Sequence, residues 1–123
     1  MERRGVPVED MGVSLVSLFE LQAKAAKLGV PSRYVVEAID TINHTFRVEP
    51  FFNPKIVETS SNLLKDLNDY VDCLILATAI ASKEDLVTED QKILGVSNEM
   101  KDRYGVNIVS SKEFLAHLDS LKS

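Results

Sequence analysis

The stretch from Val71 to Ala81, VDCLILATAIA, is apolar on every side except at Asp72, Cys73 and Thr78. A helix of that composition has no face to give to solvent, so the chain must supply other elements to enclose it. The stretch also poses a chemical question, because a carboxylate in such a helix is costly unless it is hydrogen-bonded or paired. With Asp69 as cap, Asp72 stands at the third helical position, where free N–H groups and the helix dipole favour an acid. Asp72 is therefore either a helix-start residue or one member of a group assembled by the fold.

An apolar fraction of 45% over 123 residues is enough for one continuous core, so a single domain is expected. The first twelve residues, MERRGVPVEDMG, form a polar leader, and residues 13–123 form the domain. That leader is too charged for a signal peptide, and no uncharged apolar run is long enough to cross a bilayer. The lone Cys73 rules out an intrachain disulfide and fits a reducing compartment, so a cytoplasmic location without membrane contact is expected. Nineteen acids against 14 Lys and Arg argue against holding nucleic acid by broad electrostatic attraction. They do not exclude a nuclease, since carboxylates loaded with divalent cations present positive charge to phosphate.

From Val13 the spacing of Leu18, Leu21, Ala25 and Leu28 predicts a helix stopped at Gly29, with Ser17 and Glu20 at capping-box spacing. Pro31 opens a second helix with an apolar face of Val35, Ile39 and Ile42. TFRVEPFF reads as a short strand. Asn53 and Pro54 start a third helix with Ile56, Ser60, Leu63 and Leu67 on one face, and the buried helix from Tyr70 to Ser82 follows. DLVTED reads as a strand, a helix from about Gln91 or Leu94 runs to Tyr104 and stops at Gly105, and VNIVSS is another strand. The terminal helix carries a Ser110 to Glu113 capping box and turns Phe114, Leu118 and Leu121 inward. Short strands entered from and left into helices predict an α/β domain with a parallel sheet covered on both faces. In such sheets the chemistry lies beyond the carboxyl ends of the strands, where Thr88, Glu89 and Asp90 fall.

Each acid has a plain local explanation. Glu20 completes a capping box with Ser17, Asp72 decorates a helix start, and Glu89 and Asp90 sit in a first turn capped by Thr88 with Gln91 as reciprocal acceptor. Taken together, acids near helix starts and at a strand end can converge on one rim, where they would not all stay ionised without a cation. All-oxygen donors of this kind suit Mg²⁺ or Mn²⁺. Other chemistry is thin: His44 and His117 are far apart in sequence, no glycine-rich phosphate loop is present, and Lys24, Lys27, Arg33, Arg47, Lys101 and Arg103 read as solvated surface.

Four segments together resemble the PIN domain, a compact nuclease fold of prokaryotic toxin ribonucleases and RNA-processing enzymes. VSLVSLFELQAKAAKLG resembles its second helix with the metal-side Glu, and VDCLILATAIA its acid-bearing buried helix. DLVTED is similar to the strand that ends in Thr-x-Asp, and VNIVSSKEFLAHL to the final strand and helix. The resemblance implies a three-layer fold in which Glu20, Asp72 and Asp90 are catalytic metal ligands for Mg²⁺ or Mn²⁺, supported by the hydroxyls of Ser17 and Thr88. Their carboxylates would then lie within roughly 4 to 8 Å of one another. The implied activity is metal-dependent endoribonuclease cleavage of single-stranded RNA, as toxin or processing enzyme, and an antitoxin-like protein is an implied partner.

The front of the chain departs from that pattern. A central strand ending in Asp-x-Asn normally opens the fold, and no such strand precedes Val13, although Asp10 is an acid in the leader. A rearranged sheet, a strand donated by a partner, a second polypeptide or an annotated start too far downstream would each account for this. The expectation is a homodimer that covers exposed edges, and a weak nuclease. The alternative is a catalytically silent PIN-like module that binds RNA or a protein partner. A response-receiver-like domain would need an early acidic pair at a strand end and a later Lys after another strand, and is disfavoured.

Overall fold

A computed structural model describes residues 11–122, with side chains through His117. The expected leader therefore lies almost wholly outside the described residues, as do Asp10 and the inward positions of Leu118 and Leu121. The chain divides into two compact units at the bond between Phe51 and Phe52. Parallel strands and helices alternate in both, an α/β organisation, and the strands form two separate pairs where one central sheet was expected.

In the first unit, β1 (Gly12–Ser14) leads directly into α1 (Leu15–Lys27), followed by α2 (Ser32–Thr45) and β2 (Arg47–Glu49). Val13 pairs with Val48 in the parallel β1–β2 register. This pairing holds Gly12 to Ser14 extended, so the helix starts at Leu15 and not at Val13. Ser14 becomes the N-cap, without a side-chain cap bond, and Ser17 falls inside the helix. The expected Ser17–Glu20 capping box is thereby corrected: a residue already at the third helical position cannot cap the same helix.

The end of α1 follows the sequence. Val30 N–H donates to Ala25 C=O at 3.0 Å and Gly29 N–H to Ala26 C=O at 3.2 Å, which is a Schellman closure. Gly29 holds φ +76°, a conformation that disfavours any side chain. Along α2, Val35, Ile39 and Ile42 are the half-buried positions, as their spacing predicts.

The second unit contains α3 (Pro54–Leu67), α4 (Tyr70–Ser82), β3 (Leu86–Val87), α5 (Gln91–Leu94), α6 (Ser97–Tyr104), β4 (Ile108–Val109) and α7 (Ser111–Lys122). The helix expected from Gln91 to Tyr104 is two helices. Val96 leaves the helical region at φ −105° and ψ 13°, after Gly95 closes the short first piece. Leu86 pairs with Ile108 and Val87 with Val109, again in parallel.

Helices α3 and α4 pack against each other. Ile56, Ser60, Leu63 and Leu67 of α3 are all buried, and so are Cys73, Leu74, Leu76, Ala77 and Ala79 of α4. Ser60 and Thr78 satisfy their buried hydroxyls by donating to the carbonyls four residues earlier, Ile56 and Leu74, each at 2.7 Å. The helix starts work as their sequences predict: Asn53 Oδ1 accepts from Lys55 N–H at 2.8 Å, and Asp69 Oδ1 from Asp72 N–H at 3.2 Å. Among the described residues, no helix is long and apolar enough to cross a membrane.

Candidate functional site

Side-chain hydrogen bonds gather at both ends of the β3–β4 pair. Backbone bonds from Leu86 to Asn107 and from Thr88 to Val109 fix the two strands side by side. Asp85 Oδ1 clamps their start by accepting from Asn107 N–H at 3.2 Å and Asn107 Nδ2 at 3.1 Å. At the other end Glu89 Oε2 accepts from Ser111 N–H at 2.7 Å, tying the β3 end to the start of α7. Hydrogen bonds from Ser111 lower the Glu89 carboxyl below its usual range. The terminal capping box forms as expected, with Ser110 N–H donating to Glu113 Oε1 at 3.0 Å and Glu113 N–H to Ser110 Oγ at 3.2 Å.

Thr88 and Asp90 meet in this network. Asp90 N–H donates to Thr88 Oγ1 at 3.1 Å, and Asp90 Oδ1 accepts from Lys92 N–H at 2.8 Å and Ile93 N–H at 3.2 Å. The cap of α5 is therefore Asp90 itself, in place of the Thr88 cap with Gln91 as reciprocal acceptor. Both accepted bonds fall on Oδ1, which leaves Oδ2 as the oxygen with capacity for a ligand.

Asp72 occupies the third position of α4, as its sequence predicts, and is 8% exposed. Beside it, burial raises the Cys73 thiol above its usual range, and the neighbouring acids Asp72, Asp69 and Asp66 push in the same direction. Glu20 and Ser17 lie three residues apart on α1 in the first unit, where Glu20 is exposed and Ser17 half-buried. Among the described residues, no three His, Cys, Asp or Glu side chains are grouped so as to hold a metal ion.

The sequence model of the PIN domain matches residues 2–99. The chain belongs to the PIN family. That match spans most of the chain and includes Ser17, Glu20, Asp72, Thr88 and Asp90. No curated protein matches this PIN chain closely enough to add a named relative.

Two features of the PIN chain escaped the sequence. Glu89 straps β3 to α7 across 22 residues, and nothing local to either partner signals it. Arg103, read as solvated surface, pairs with Asp66 at 3.0 Å and Glu99 at 3.6 Å and stacks on Tyr104 at 5.1 Å, joining α6 to α3. Its guanidinium pKa is raised chiefly by the Asp66 hydrogen bond. Only the Glu99 pair, four residues away on the same helix, was visible from spacing.

Proposed function

We propose that this PIN chain acts as a binding module that is catalytically silent on its own. The observation that carries this reading is the absence, among the described residues, of any three-donor group able to hold a metal ion. The local duties of the acids support it: Asp90 Oδ1 is committed to capping α5, and Glu20 is exposed in the interior of α1. The partner is a protein or single-stranded RNA. A formal net charge of -5 opposes tight phosphate binding, and the exposed apolar side chains of α1 and α2 favour protein, an antitoxin-like chain included.

A second reading is a Mg²⁺- or Mn²⁺-dependent endoribonuclease with Glu20, Asp72 and Asp90 as ligands and Ser17 and Thr88 in support. Family membership favours it, as does a carboxylate retained at Asp72 in a buried setting. The two readings separate in a cleavage assay on labelled single-stranded RNA with Mg²⁺ or Mn²⁺, comparing the chain with Asp72→Asn and Asp90→Asn. The expected result is no metal-dependent cutting above the variants. Robust cutting abolished by either substitution would overturn the silent-module reading and establish the nuclease.

A further inference from the structure

We draw no further inference here: the strongest candidate, the apolar groove between α1 and α2 lined by Ala26, Val36 and Ile39, is an unpartnered face, and nothing in the structure shows what covers it.

Discussion

Thr88 and Asp90 are bound to each other by main chain and side chain: the Asp90 N–H donates to Thr88 Oγ1 at 3.1 Å while the Asp90 carboxylate caps α5 through one oxygen. The pair turns the end of β3 into the start of a helix, and this structural duty is separable from any chemistry. Asp90→Ala is expected to cost about 1 kcal/mol of stability, with Asp90→Asn within a few tenths of the parent, because Asn caps as well as Asp. Urea unfolding measures both. Equal losses in the two variants would mean that the negative charge, and not the cap, is what Asp90 contributes.

Ser14 gives an expectation of opposite sign. As the N-cap of α1 it makes no cap bond, and its Oγ is buried without a hydrogen-bond partner among the described residues. An unsatisfied buried hydroxyl is unfavourable, so Ser14→Ala should be neutral or stabilising by up to about 1 kcal/mol, against the usual loss on removing a Ser cap. A thermal or urea denaturation curve showing a loss of 1 kcal/mol or more would show that the hydroxyl is satisfied in solution.

Glu89 should titrate below its ordinary value of 4.5, since hydrogen bonds from Ser111 favour its ionised form. Its folded pKa is depressed, so its contribution to stability is present above the unfolded pKa and is lost as pH falls through the folded one. The window therefore opens below about pH 4.5. Ser111 is the first residue of α7, where proline is tolerated, so Ser111→Pro removes the N–H and hydroxyl donors with little harm to the helix. Carboxyl-detected NMR titration should return Glu89 to the usual range in that variant; an unchanged midpoint would assign the shift elsewhere.

Cys73 should be inert in the native protein. It is fully buried, and burial keeps its thiol protonated, whereas the thiolate is the reactive form. Ellman's reagent is expected to label it only at the rate of unfolding, with labelling prompt in denaturant. Rapid native labelling would show that α4 opens locally far more readily than its burial implies.

What the sequence determined by itself is local. Asn53 with Pro54, Asp69, and Ser110 with Glu113 start their helices as read, because a cap acts on N–H groups within a turn of itself. Gly29 and Gly105 end helices at φ +76° and +72°, a conformation set by the residue's own sterics. The buried stripe of Ile56, Ser60, Leu63 and Leu67 follows from helical period alone. Asp72 was equally legible as the third residue of its helix.

Tertiary structure decided whatever depends on partners distant in the chain. Pairing of Val13 with Val48 displaced the start of α1, so Ser17 lost the capping role that its spacing to Glu20 suggested. The strap from Glu89 to Ser111, the clamp from Asp85 to Asn107 and the Asp66–Arg103 pair each join residues more than 20 apart, where periodicity carries no information. Division of the strands into two pairs has the same origin, since which strand edges meet is fixed by directional hydrogen bonds between segments and not by the pattern within either.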